Sequence, residues 1–315
     1  MAITRLADII EPAVFAAYMR EVIQEKSALI QSGIVIQSQL LNELVNGGGR
    51  TINMPFWNDL SGEDEVMESG AFLDPEGIGT AEDIAVLQKR EKAWAAESLA
   101  SMVAGDSALD AIEARVSDWW VRREQRLLLY SLQGVFASPT MIDHVENAIG
   151  EQIGASLILR AKQRLGDAAD ILAALFMNSL TFTRMQNLNL IDVIPDSRGE
   201  IQFPTYLGYR VIVDDTVPVT STYLMANGVI ARGDGQPVDL VPVETSRDVL
   251  ASGGVDYLVH RRAFVLHPIG VAYTGAFTRA APTNAELANG ASWTKVYDTK
   301  NIGMVEIRHD ESVID

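Results

Sequence analysis

Four histidines, His144, His260, His267 and His309, are the side chains best suited to acid–base or metal chemistry. None stands in an HExxH spacing or near a serine in a nucleophile-elbow context, so they read as surface or internally satisfied histidines. Asp214-Asp215 follows the apolar run Tyr209–Val213, where paired carboxylates could hold a cation. Adjacent strand residues point to opposite faces, which favours a turn whose Asp side chains bond the backbone. A soluble metal-dependent enzyme using Asp214 or Asp215 is the competing reading. Gly47-Gly48-Gly49-Arg50 lacks the Gly-Lys-Ser/Thr ending of a phosphate loop. Cysteine is absent, which excludes disulfides, thiolate metal sites and thiol nucleophiles. Trp119-Trp120, near several arginines, could stack on single-stranded nucleic acid. Side chains of neighbouring helical residues diverge by about 100°, so one tryptophan is expected in the core and the other at a subunit contact. No catalytic residue, cofactor or metal is expected.

The spacing that stands out is one of charge. From Thr51 to Gln88 there is no lysine or arginine, while Asp59, Glu63, Asp64, Glu65, Glu68, Asp74, Glu76, Glu82 and Asp83 fall inside that stretch. A block of one sign repels itself. It meets the opposite sign at Lys89, Arg90 and Lys92, and a second basic group follows at Arg115, Arg122, Arg123 and Arg126. The block reads either as a solvated loop or as an arm of one copy lying on the basic stripe of another. On the second reading, Trp57, Asp59, Glu63, Asp64, Glu65 and Glu68 are the interface candidates of the arm. Lys89, Arg90, Arg115, Arg122, Arg123 and Arg126 are those of the receiving side.

The elements must position these groups. The 315 residues suffice for one or two domains, and 48% hydrophobic against 21% charged residues describes a folded chain. A net charge of −17 disfavours non-specific binding to nucleic acid. No apolar run is long enough to span a bilayer, and the first residues lack the pattern of a secretory signal; the chain reads as soluble and intracellular. Pro12, Val14, Tyr18 and Val22 predict a first helix, and the glycine triplet marks a hinge. Strands are expected over Thr51–Trp57 and Ile84–Ala95, enclosing a polar excursion: an extended two-stranded arm. Apolar residues from Leu109 to Tyr130 predict a helix over Ser107–Phe136, capped by Asp106 or Ser107 and closed by Gly134 and Pro139. At 30 residues it would run about 45 Å. Further helices are expected over Gln152–Leu165 and Leu180–Leu190, and a strand or helix over Ile171–Met177. Strands are expected over Tyr209–Val213, Thr222–Ala231, Val238–Val243, Asp256–Leu266 and Ile302–His309. The class is α+β.

Several segments resemble one family. Ala174-Leu175-Phe176-Met177-Asn178-Ser179, Ile194-Pro195-Asp196-Ser197 and Pro204-Thr205-Tyr206-Leu207-Gly208 through Asp214-Asp215 are similar to major capsid proteins of tailed double-stranded-DNA phages. The likeness continues through Gly253–Tyr257, His267-Pro268-Ile269-Gly270 and Lys300-Asn301-Ile302-Gly303, and reaches back to Ile10-Glu11-Pro12 and Ser32-Gly33-Ile34-Val35. The resemblance implies the Hong Kong 97-type capsid fold. Residues 1–49 would be an N-terminal arm, 50–95 an extended hairpin (the E-loop) and 96–144 a peripheral domain with its spine helix. Residues 145–254 would be an axial domain, and 255–315 strands returning to either domain. The implied function is a structural head protein, not an enzyme, that self-assembles into pentamers and hexamers of an icosahedral shell around double-stranded DNA without sequence-specific binding. An encapsulin-like nanocompartment shell is the alternative. Copies of the chain are the implied partners, with scaffold, portal and decoration proteins as further candidates and no membrane. The place is the virion, assembled in the host bacterial cytoplasm. The type member of the fold joins subunits by a lysine–asparagine bond; the lysine-free arm makes such a link from its tip unexpected. The chain also begins without a long helical extension, so a scaffold would be separate or already removed.

Overall fold

A computed structural model describes residues 32–60, 62–64, 66–67, 76–188, 190–195, 201–237, 240–250 and 253–310. The helix expected around Pro12–Val22 lies outside the described residues, as do Glu65, Glu68 and Asp74.

The chain enters with strand β1 (Val35–Gln37) and helix α1 (Gln39–Asn46). Ser38 caps α1 by accepting from Leu41 N, and Leu41 and Val45, one turn apart, are buried. Gly48 and Gly49, at φ 84° and 88°, make the left-handed turn that only glycine adopts freely. They lead into β2 (Thr51–Trp57), which pairs antiparallel with β3 (Thr80–Glu97), from Thr51 opposite Val86 to Trp57 opposite Thr80. The expected arm is thus a hairpin, and β3 runs past it for 18 residues in all. Beyond the hairpin, β3 pairs with β12 (Val255–Pro268) from Leu87 to Glu97. On its other side β12 holds β10 (Ile230–Gly235) and β11 (Val243–Asp248) end to end, and β1 closes that edge against β10.

A short helix α2 (Ser98–Ala104) links β3 to the long helix α3 (Ala108–Ala137). Of the two expected caps Ser107 serves, accepting from Asp110 N. Gly134 does not end α3: it is buried three residues before the end, and the helix stops at Ser138, with Pro139 opening a 3-10 turn.

A second sheet is ordered β4-β15-β9-β5-β8-β7-β6. Its strands are β4 (Val145–Asn147), β5 (Leu172–Met177), β6 (Asp192–Pro195), β7 (Ile201–Tyr206), β8 (Tyr209–Val213), β9 (Ser221–Ala226) and β15 (Met304–Arg308). Helices α4 (Ala155–Gln163) and α5 (Ser179–Asn187) belong to this half, while α6 (Asn284–Leu287) packs on α3. Strands β13 (Val271–Tyr273) and β14 (Trp293–Lys295) form a separate pair.

Two expected strands need correction. Thr222–Ala231 is two strands in different sheets, β9 and β10, parted by a turn at Gly228. Of the expected strand Val238–Val243, residues 238 and 239 lie outside the described residues; Leu240 N turns back to Pro237 O, Pro242 lacks a donor, and pairing starts only at Val243. The sheets also cut across the expected boundaries. Strands β10 and β11 join the hairpin's sheet rather than the second one, and β15 returns to the second. One apolar cluster joins both halves, running from Ile34 and Val86 through Leu128, Leu132 and Phe136 of α3 to Phe176, Tyr223 and Met304.

Candidate subunit interface

The hairpin carries its chemistry at its free end. Beyond the last strand pair, Asn58 N bonds Gly79 O at 2.9 Å, and the described residues past that bond are mostly acidic or apolar. Trp57 is 68% exposed and Met67 fully so; Leu60, Val66 and Ile78 also face solvent, beside the exposed carboxylates of Asp59, Glu63 and Asp64. Bare apolar side chains among repelling acids gain nothing in solvent.

Nearer its root the hairpin is fastened. Asp83, one of the acids of the block, is buried, with its Oδ2 2.8 Å from His267 Nε2 and accepting from Gly270 N at 3.0 Å. Phe56 meets Tyr297 edge-on, ring centroids 4.8 Å apart. Lys89 donates to Gly49 O at 2.8 Å. Arg90 is half-buried and donates to Pro282 O at 2.7 Å and to Gln88; burial pulls its pKa down, against the opposing pull of Glu286. Lys89 and Arg90 therefore brace the hairpin's own root, apart from the arginines of α3.

Those arginines flank a groove on the first half of α3. It measures about 360 Å³ and is lined by Trp94 of β3 with Ile112, Arg115, Val116, Trp119 and Arg122. Trp94 and Trp119 meet edge-on at 5.3 Å, and Trp119 meets Trp120 likewise at 4.9 Å. Trp120 is buried against Val116 and Leu258, while Trp119 stays half-exposed at the groove, with the Arg123 guanidinium 5.1 Å from its ring centre. Arg126 lies further along, in a second groove with Tyr130, Gln133, Asp215 and Thr216. Tryptophan and arginine together are the composition of energetically dominant contact sites.

The residues first suited to catalysis hold the fold. Asp214 Oδ1 accepts from Thr216 N at 2.9 Å, and its Oδ2 accepts from Gln125 of α3 at 2.8 Å. Asp215 accepts from Ser179 N at 3.2 Å. The pair is the expected turn, tying α3 to α5. His144 Nδ1 sits 2.8 Å from Met304 O, and His309 Nε2 2.8 Å from Thr222 Oγ1, both in the core. Among the described residues no group of three or more His, Asp or Glu is placed to hold a metal.

Sequence reasoning missed Glu124. It is buried on α3, ion-paired with Arg262 of β12 and, at 3.1 Å, with Arg232 of β10, which also holds Asp234 at 2.8 Å. Burial raises the Glu124 pKa and the two guanidiniums oppose that shift. Its partners lie more than a hundred positions along the chain, and no local pattern announces them.

The hairpin runs past the other strands of its sheet, the long helix carries an open arginine–tryptophan groove, and among the described residues no catalytic group is assembled. The whole architecture matches solved shells of tailed phages: the cyanophage Pam1 capsid (TM-score 0.61, 10% identity, 96% of both chains) and Ralstonia phage GP4 (0.61, 8%, 96% and 98%). Mycobacterium phage Che8 superposes at 0.58 with 10% identity, over 94% and 96% of the two chains. These share the fold, of the Hong Kong 97 type. In sequence, the chain is 39% identical to the major capsid protein of Bacillus phage SPP1 over 324 aligned positions, covering 98% of this chain and 99% of that one. No family model matches. The chain belongs to the phage major capsid proteins, a structural family that builds a shell from copies of itself.

Proposed function

We propose that this chain builds the pentamers and hexamers of an icosahedral head around double-stranded DNA, and that the hairpin of one copy lies over α3 of the next. In this reading 50–95 is the E-loop, following the arm of 1–49, and 96–144 is the peripheral domain with α3 as its spine. Residues 145–254 supply the axial domain except for β10 and β11, which side with the hairpin's sheet, and 255–315 returns to both. Scaffold, portal and decoration proteins are the further partner classes, and the bacterial cytoplasm is the place of assembly. The net charge of −17 suits a wall that does not hold the packaged DNA tightly.

The observation that carries the reading is complementarity. Asp59, Glu63 and Asp64 stand beside exposed apolar side chains on the hairpin tip, while Arg115, Arg122 and Arg123 border an aromatic groove on α3. Exposed ion pairs contribute only about 0–1 kcal/mol each, so charge sets the register and the apolar side chains supply most of the affinity. The contact needs no covalent bond. Reversing Arg122, Arg123 and Arg126 to Glu is expected to stop particle formation while far-UV circular dichroism and the unfolding midpoint stay close to wild type. Normal particles from this triple variant in negative-stain micrographs would refute the hairpin-on-helix contact. Nothing in the geometry or among the relatives favours the nanocompartment reading.

A further inference from the structure

The hairpin leaves the body at a joint within β3. Leu87–Glu97 pair with β12 and Thr80–Val86 with β2, so the strand changes neighbour between Val86 and Leu87 and is laddered to one partner at a time. Past Val265, β12 continues with β10 and ends at Pro268, in a turn completed by Ile269 and Gly270. A two-stranded ribbon twists more readily than a wider sheet, and here no third strand crosses the joint to set its direction. Apolar packing of Ile52, Met54 and Ala85 with Leu41 and Val45 of α1 holds the root down, but such contacts are non-directional. Asp83 acts otherwise. Its Oδ2 lies 2.8 Å from His267 Nε2 and accepts from Gly270 N at 3.0 Å, so both bonds go to the turn at the end of β12. That turn is itself pinned: Gly270, at φ 87°, accepts from Val296 N at 3.0 Å and Tyr297 N at 3.2 Å, and Ile269 N bonds Val229 O at 3.0 Å.

We infer that Asp83 and His267 are positioning residues: they fix the angle at which the hairpin leaves the body, and with it where the tip meets the next copy. The second half rests on the hairpin-on-helix reading; the first half does not. Stability alone is a poor account of the pair. Asp83 is buried and its Oδ1 has no hydrogen-bond partner among the described residues, an arrangement that an apolar side chain would replace at no cost in desolvation. What an apolar side chain would not supply is two bonds that weaken steeply when bent. The lever makes small angles matter. From Val86 to Thr80 the ribbon runs about 20 Å, so a swing of about 10° moves its far end by about 3.5 Å, one residue of strand register.

The cysteine-free chain allows a direct test. Asp59→Cys on the hairpin and Ser117→Cys on the exposed side of α3 carry a nitroxide pair, and double electron–electron resonance on the dilute, unassembled subunit reads their distance and its spread. The otherwise unchanged chain is expected to give one narrow distribution. Asp83→Ala is expected to widen it at least twofold, and His267→Ala, which leaves the Gly270 bond, to widen it less. Asp83→Asn keeps an oxygen that accepts from Gly270 N and is expected to restore most of the narrow distribution. A lowered unfolding midpoint with an unchanged spread in Asp83→Ala would show that the pair only stabilises, and an Asn variant as loose as the Ala one would show that these bonds do not hold the hairpin; either overturns the inference. If Asp83→Ala does not fold, the spread in His267→Ala decides in the same way. Without the labels, Asp83→Ala is expected to lower particle yield at least fivefold, and Asp83→Asn to recover it. A wide spread with wild-type yield would refute the bearing on assembly alone, while the arginine reversals on α3 test the hairpin-on-helix contact itself.

Discussion

His309 shows how little of this protein's histidine chemistry is catalytic. It is buried beside Thr222, and desolvation, helped by Arg184 and opposed by Asp310, brings its pKa down to about 4. The folded state therefore prefers the neutral ring. Its contribution is complete above the unfolded value near pH 6.5 and is lost as pH falls from there toward 4, about 3 kcal/mol over the whole window. His144 is shifted the same way by its own burial, while Glu124 and Glu306, raised by burial, act in the opposite sense. His309→Gln keeps a hydrogen-bonding group and removes the titration. Urea unfolding of the free subunit at pH 7.5 and pH 5 is expected to show a loss for wild type that is smaller by about 2 kcal/mol in the variant. Equal losses in the two would remove the histidine from the acid sensitivity. At this scale the sequence was legible only in part. The turn at Asp214-Asp215 follows from its residue types, but Asp83 reads as one more acid of a solvated block until His267, 184 positions later, is folded against it.

Elements were more legible, because periodicity is local. Strand β2 has the bounds its alternation predicts, and α3 differs from its predicted span by one residue at each end. Gly134 misled, since glycine near a helix end usually stops it. Here its missing side chain admits another element: a Cβ at 134 would lie 1.9 Å from Leu287 O and 2.5 Å from Trp293 Nε1, the two atoms joined by a 2.7 Å hydrogen bond. In an open helix Gly→Ala stabilises by up to about 1 kcal/mol. Gly134→Ala is expected to reverse that sign and destabilise by about 1–3 kcal/mol, because a backbone carbonyl has to move. Thermal unfolding of the subunit decides, and a raised midpoint would show that α6 yields freely. The split of 222–231 between two sheets was not legible. Both halves read as strand, and which sheet each joins is set by partners far along the chain.

At the scale of the whole molecule, the uneven placing of charge matters more than its total. The lysine- and arginine-free stretch meets β3 at its Thr80 end, while the arginine-flanked groove on α3 lies by Trp94, toward the other end of the same strand. If charge registers the hairpin on its neighbour while apolar burial holds it, salt acts differently on forming a shell and on keeping one. The screening length shrinks from about 10 Å at 0.1 M salt to about 3 Å at 1 M, which weakens long-range steering between exposed groups and leaves close apolar contacts intact. Raising the salt tenfold from 0.05 M should therefore slow the hairpin's capture at least several-fold, followed by light scattering on freshly mixed subunits. Preformed particles moved to the same salt should persist. Particles that dissociate at high salt would show that the ion pairs themselves hold the shell, and an assembly rate indifferent to salt would show that the acidic stretch plays no part in finding its neighbour.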